Sequence, residues 1–288
     1  MNNHVIDLPA TPPFDFGASL RFVRDFPATR GEQHVEDGVL REAARAGGRA
    51  VGLRVRASGD GLRCEIVSDG PPQANDVAVA VRERFGLDDD LGPVYERAAA
   101  DPPFAAVADR LHGYHQVRFG SPLELLCWAL LCRRTPMAVA RRSKAALVAA
   151  CGNEVELDGV ALRAFPDLDQ LLGFTETELA ELVGNTRTAR YLHGALRGWA
   201  ELDGDLLRHG DPDAADAALR GLPGIGPWSA GFLMIRGFGR TERAAPDRES
   251  LAAASRVYGR PVDAGEFTRL AARYGDHRGY WAHYLRVG

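Results

Sequence analysis

The sequence predicts an α+β unit followed by an all-α unit. Period-two alternation around a glycine turn dominates the first hundred or so residues, and helical periodicity runs almost unbroken after residue 104. Late in the helical part lies a glycine-rich turn, LPGIGPW, with acidic residues roughly twenty positions beyond it. A length of 288 residues is long for one domain and short for three, which suits two unequal units. Asp101-Pro102-Pro103 marks the break. Residues 1–103 are read as a small antiparallel sheet with helices, and 104–288 as a helical domain.

Pro9, Pro12 and Pro13 hold the start of the chain extended as far as Phe14, and Asp15 or Ser19 is placed to begin a helix. Residues 19–26 (SLRFVRDF) read as a short amphipathic helix or a strand edge. In 50–56 the apolar Val51, Leu53 and Val55 alternate with Gly52, Arg54 and Arg56, and 62–68 alternates in the same way. Ser58-Gly59-Asp60-Gly61 between them is a hairpin signal. Residues 75–85 read as a helix capped by Asn75 or Asp76.

From 104 the segments are helical. Residues 104–111 form one helix, and 122–132, apolar nearly all round, reads as a central buried helix. Residues 137–151 carry Arg141, Arg142 and Lys144 on a polar side. Shorter or amphipathic helices follow at 168–172, 176–183 and 186–202, then an alanine-rich one at 213–220 capped by Asp211. Beyond the glycine turn come 250–258, 264–274 and a last helix ending at Arg286.

The net charge of −4 excludes a globally basic nucleic-acid binder but not a local basic patch. Basic residues are nearly all arginine, and Lys144 is the only lysine. Cys64, Cys127, Cys132 and Cys151 are scattered, so no zinc or iron–sulfur site is expected from side chains. Free thiols fit a reducing cytoplasm. No signal peptide is visible and no apolar run reaches about 18 residues, so no membrane span is expected.

The glycine turn carries the functional reading. Gly221 stands where a helix end favours a left-handed residue, and Gly224 and Gly226 permit a tight turn. Pro227 suits the first position of a new helix. Unpaired N–H groups of Gly224, Gly226 and the following turn then point outward as an anion site suited to one DNA phosphate, which makes Leu222, Gly224, Ile225, Gly226 and Ser229 the expected DNA-binding residues of the turn. The alternative is a plain helix–helix turn. A dinucleotide-binding loop requires a preceding strand, and here a helix precedes.

LPGIGPWSAGF with an acidic residue some twenty positions on resembles the helix–hairpin–helix DNA glycosylase superfamily, and within it the 3-methyladenine DNA glycosylase II (AlkA-like) branch. PPFDFGASLRF is similar to the opening of that branch's small sheet domain, and HQVRFGSPLELLCWALLCRR to the start of its helical core. The resemblance implies a monomeric, cofactor-free enzyme that acts on duplex DNA containing damaged bases in the bacterial cytoplasm, at the nucleoid. It flips out alkylated bases of the 3-methyladenine and 7-methylguanine type and removes them by hydrolysis. It further implies that backbone carbonyls of the hairpin hold a monovalent cation, that Trp228 and Phe232 line the base pocket, and that Asp247 is the catalytic carboxylate. A one-position shift puts Arg248 at that place and leaves the role to Asp247 or Glu249. Arg133-Arg134 stands where the family has the residues that fill the duplex gap; a solvated basic helix end is the other reading of that pair. His277 stands where relatives place an aromatic beside the pocket, with Tyr280 and Trp281 following as further pocket residues. Bifunctional relatives carry a lysine near Trp228. Its absence there implies no lyase activity, and the lack of cysteines after Cys151 implies no iron–sulfur cluster. An 8-oxoguanine glycosylase and a non-catalytic DNA-binding module are the alternatives.

Overall fold

The structure, a computed structural model, describes residues 2–29, 32–71 and 73–288. The chain starts with strand β1 (Asn2–Pro9) and helix α1 (Phe16–Asp25). Strands β2 (Gln33–Glu36), β3 (Val39–Ala46), β4 (Arg49–Ser58) and β5 (Gly61–Ser68) follow. They form one antiparallel sheet in the order β1-β5-β4-β3-β2. The expected turn is present: Ser58 pairs with Gly61, and Gly59 takes φ +55°. Leu53, Val55, Leu62, Cys64 and Ile66 are buried. Each such apolar side chain contributes about 1.5–3 kcal/mol at most.

β3 is not apparent as a strand in the sequence, because LREAARA has helix-forming composition. It is held as one by pairing with β4 from Val39↔Arg56 to Ala46↔Arg49. Gly47 and Gly48, both at positive φ, close that hairpin. The proline-rich start is likewise a full strand, paired with β5 from Asn2↔Ser68 to Pro9↔Gly61.

Helices α2 (Ala74–Phe85), α3 (Gly92–Ala99) and α4 (Pro102–Arg110) complete this region. The buried helix is α5 (Pro122–Leu131), capped by Ser121, followed by α6 (Met137–Ala150). A hairpin of β6 (Glu154–Leu157) and β7 (Val160–Arg163) comes next. It was not anticipated, although its Asp158-Gly159 turn is a hairpin signal. Arg41 and Arg54 both bond Asp158 at 2.7 Å, tying it to the main sheet.

The remaining helices are α7 (Leu168–Leu172), α8 (Glu176–Val183), α9 (Thr186–Ala200), α10 (Gly204–His209), α11 (Pro212–Arg220), α12 (Pro227–Arg236), α13 (Arg248–Tyr258), α14 (Ala264–Ala272) and α15 (Arg278–Val287). None is long and apolar enough to cross a membrane. Two principal cores result. One joins the sheet and α1–α4 to α13–α15. The other is built from α5–α12. The expected boundary at 103/104 therefore runs through the first core, where Phe104 of α4 packs against Tyr274, Trp281 and Tyr284. The chain crosses from the second core to the first between α12 and α13, and the candidate site lies at that crossing.

Candidate active site and nucleic-acid interface

The glycine turn joins α11 to α12. Ile225 N–H closes it on Leu222 O at 3.1 Å, while the N–H groups of Gly224 and Gly226 find no backbone acceptor among the described residues. Gly224 supplies the left-handed residue, at φ +86°. A Cβ there would lie 2.8 Å from Leu130 and 3.0 Å from the Tyr191 ring. Gly221, expected to be left-handed, is right-handed at φ −67°. It needs no reversal, because the chain continues one more turn before bending. Pro227 opens α12 after the extended Gly226. The side chains of Leu222, Ile225 and Ser229 are buried, so only their backbone faces are available to DNA.

Arg133 and Arg134 follow α5 and are exposed. Arg133 lies 4.7 Å over the Tyr191 ring, and Arg187 donates to the Tyr191 hydroxyl from Nη2 at 3.3 Å. Arg187, then Arg133, hold that phenol's pKa below its ordinary value. The turn, Tyr191 and these arginines make one continuous basic edge. Arg134, in the turn after α5, takes φ +50°. Tyr191 and Arg187 were not singled out by the sequence reading; their i, i+4 spacing on α9 was the available signal.

Asp247 is the N-cap of α13, with Oδ1 accepting from Ser250 N–H at 2.7 Å. Its Oδ2 accepts from Trp228 Nε1 at 3.1 Å and lies 3.4 Å from Arg286 Nη1. Partial burial by itself raises the carboxyl pKa, but the Ser250, Trp228 and Arg286 contacts outweigh it and hold the group below its ordinary value. Glu249 is exposed and engaged by Arg286, and Arg248 is exposed. Trp228 is 50% exposed and stacks on Phe232 at 5.1 Å. An ionised carboxylate and an open indole face thus share one position at the end of the hairpin helix.

The two other predicted aromatics lie elsewhere. Tyr280 and Trp281 are buried in the first core: Tyr280 bonds Asp89, and Trp281 packs on Phe267 and Tyr274. They have no open face for a base, which corrects their expected placement in the pocket. His277 is partly exposed at the start of α15, with no hydrogen bond or ring contact to Trp228 or Asp247 among the described residues. The residue that α15 does bring to Asp247 is Arg286, while His283, one turn earlier, bonds Tyr114 and meets the Phe22 ring. A second set comes from α1 and its C-cap: Phe22 and Phe26 stack at 5.3 Å, and Phe26 meets Phe119, which meets Phe232. Lys144 is remote in environment, 1% exposed and bonded to Ala28 O, Glu32 and Glu124. Burial lowers its pKa, but the two carboxylates more than reverse this and keep the amine protonated.

No family model matches the chain. A protein of Bacillus subtilis (strain 168) named DNA-3-methyladenine glycosylase is 31% identical over 178 residues, 60% of this chain and 59% of that protein. A protein of Mycobacterium tuberculosis (strain ATCC 25618 / H37Rv) is named probable bifunctional transcriptional activator/DNA repair enzyme AlkA. It is 27% identical over 279 residues, 96% of this chain and 55% of that protein. The chain thus spans a little over half the length of these curated relatives. Among solved structures, a 3-methyladenine DNA-glycosylase from Archaeoglobus fulgidus superposes with a TM-score of 0.78 at 22% identity, covering 99% of this chain and 97% of that one. The chain is a homologue of proteins named DNA-3-methyladenine glycosylase and AlkA, and it has the helix–hairpin–helix glycosylase fold.

Proposed function

We propose that this protein is a monofunctional DNA glycosylase that extrudes alkylated bases from duplex DNA and hydrolyses their N-glycosidic bond. The observation that carries the reading is the 3.1 Å hydrogen bond between Trp228 Nε1 and Asp247. It puts an open aromatic face and a carboxylate in one place. A base inside a duplex is inaccessible, and weakly paired damaged bases cost least to extrude. A cationic base such as 3-methyladenine or 7-methylguanine is held on the Trp228 face by stacking and cation–π attraction, on the order of 0.5–2 kcal/mol.

Such a base leaves without a general acid. The C1′–N electron pair goes to the ring and neutralises it. Water supplies the new C1′–O bond, and its proton passes to solvent. Asp247 stabilises the positive charge developing on the sugar and orients the water. The free N–H groups of Gly224 and Gly226 grip a phosphate, with carbonyls of the same turn available to a monovalent cation, and Arg134 fills the gap in the duplex. A protonated Lys144 locked between two carboxylates forms no Schiff base, so the reaction ends at an abasic site. The test is incubation with methylated duplex DNA. Free methylated purines are expected, with strand breaks only after hot alkali; strand breaks without alkali, or trapping by borohydride, would contradict a monofunctional enzyme.

A further inference from the structure

Two exposed arginines of the basic edge share one phenol. The guanidinium carbon of Arg133 lies 4.7 Å from the Tyr191 ring centroid, and that of Arg187 lies 5.7 Å from it. Nε and Nη2 of Arg187 both donate to the Tyr191 hydroxyl, at 3.4 and 3.3 Å. Neither arginine pairs with a carboxylate among the described residues. Other arginines of α9 are engaged differently: Arg190 lies 3.6 Å from Glu176, and Arg197 donates to His193 at 3.3 Å. Two like charges held on one ring repel each other. A single neutral hydroxyl is also a poor match for the Arg187 fork, which suits two adjacent acceptor oxygens.

The ring is placed by the hairpin. A Cβ on Gly224 would lie 3.0 and 3.1 Å from Cγ and Cδ1 of Tyr191, so the ring abuts the turn whose Gly224 and Gly226 N–H groups have no backbone acceptor among the described residues. Arg133 comes from the turn after α5, and Arg187 from the first turn of α9. Three segments that are distant in the chain therefore meet on Tyr191. At an exposed position each cation–ring contact is worth only about 0.5–1 kcal/mol, so packing alone gains the fold little from this arrangement.

A phosphodiester supplies what the pair lacks: a negative charge, and two non-bridging oxygens side by side. We infer that Tyr191 is a positioning residue that holds Arg133 and Arg187 as a clamp on a second DNA backbone phosphate, beside the one gripped by the hairpin. This rests on the reading above that the protein binds duplex DNA. It also divides the work of the arginine pair: Arg133 belongs to the clamp, and Arg134 is left to the gap in the duplex.

The test is equilibrium binding over a range of salt, by fluorescence anisotropy, of an undamaged duplex and of one carrying an abasic-site analogue. Each neutralised phosphate contributes about 0.9 to the slope of log affinity against log salt. Arg187→Gln is expected to make that slope shallower by about one, and to weaken binding of both duplexes by the same factor, since phosphate contacts carry no information about the lesion. Tyr191→Leu leaves every charge in place and is expected to shift the slope in the same direction, with Tyr191→Phe between it and wild type. Arg190→Gln removes the same charge from the same helix and is expected to keep the slope of wild type. A purely structural role for Tyr191 would lower the melting point of Tyr191→Leu without moving the slope. An unchanged slope in Arg187→Gln or Tyr191→Leu, an equal change in Arg190→Gln, or a loss confined to the abasic duplex would overturn the inference. Should Tyr191→Leu fail to fold, the comparison of Arg187→Gln with Arg190→Gln, both at exposed positions, decides. Failure of wild type to bind either duplex would overturn the DNA-binding reading and the clamp with it. The expected slope changes without any base release would overturn the glycosylase chemistry alone.

Discussion

Replacing Gly224 with alanine tests the geometry of the hairpin. At φ +86° an L-residue incurs about 1–2 kcal/mol from its Cβ alone. That Cβ would also lie 2.8 Å from Leu130 Cδ2 and 3.0 Å from the Tyr191 ring. Relief of such overpacking costs a further 1–3 kcal/mol or so. The sum, about 2–5 kcal/mol, corresponds to a melting point lowered by roughly 3–8 °C for a chain of this size. Gly226→Ala is the control. Gly226 is extended at φ −102°, and its added Cβ meets nothing within 4 Å, so its stability is expected to change by less than about 0.5 kcal/mol. Calorimetry or circular dichroism melts measure both. Binding of a duplex with an abasic-site analogue, followed by fluorescence anisotropy, supplies the second readout. Gly226→Ala is expected to weaken that binding while leaving the fold intact, because a methyl group there holds a phosphate away from the free N–H groups. Equal destabilisation by the two substitutions would refute the reasoning.

Trp228→Phe keeps a ring but removes the Nε1–H donor to Asp247. The carboxyl pKa then rises toward its ordinary value, and the acid limb of the pH–rate profile for base release is expected to move to higher pH. Asp247→Ala removes the cap on Ser250 N–H and should cost about 1 kcal/mol in thermal unfolding, whereas Asp247→Asn keeps the cap and should cost only a few tenths. Because the folded pKa of Asp247 is depressed, its contribution to stability is present above the unfolded value and is lost as pH falls through the folded one. Lys144→Met leaves Glu124 and Glu32 buried without their cation and is expected to destabilise the fold by about 3–5 kcal/mol in denaturant titrations.

The hairpin was legible because glycine and proline act through local backbone rules. Only the identity of the left-handed residue was misplaced, from Gly224 to Gly221. Asp247 was legible as a cap preceding a helix, because capping acts locally, through a side-chain oxygen on the N–H three residues on. β3 was not legible, since its helix-like composition is overruled by β4, a partner chosen by tertiary structure. The surroundings of the site were hidden for a related reason. Phe22, Phe26, Phe119, His283 and Arg286 come from distant elements, and no local pattern shows that they converge. Tyr280 and Trp281 were misread because an aromatic cluster in sequence does not say which face of α15 meets the core. Trp281 is covered by Phe104 and Phe267, and Tyr280 bonds Asp89, partners that lie outside α15.

The central claim, that Asp247 is the catalytic carboxylate of a DNA glycosylase, is tested most directly by single-turnover base release from methylated duplex DNA. Wild type, Asp247→Asn and Glu249→Gln are compared at saturating enzyme. Since asparagine preserves the cap, release by Asp247→Asn is expected to fall by about a hundredfold or more while its melting point stays near that of wild type. Glu249→Gln is expected to stay within a few-fold of wild type. Undiminished release by Asp247→Asn, or loss with Glu249→Gln alone, would contradict the account.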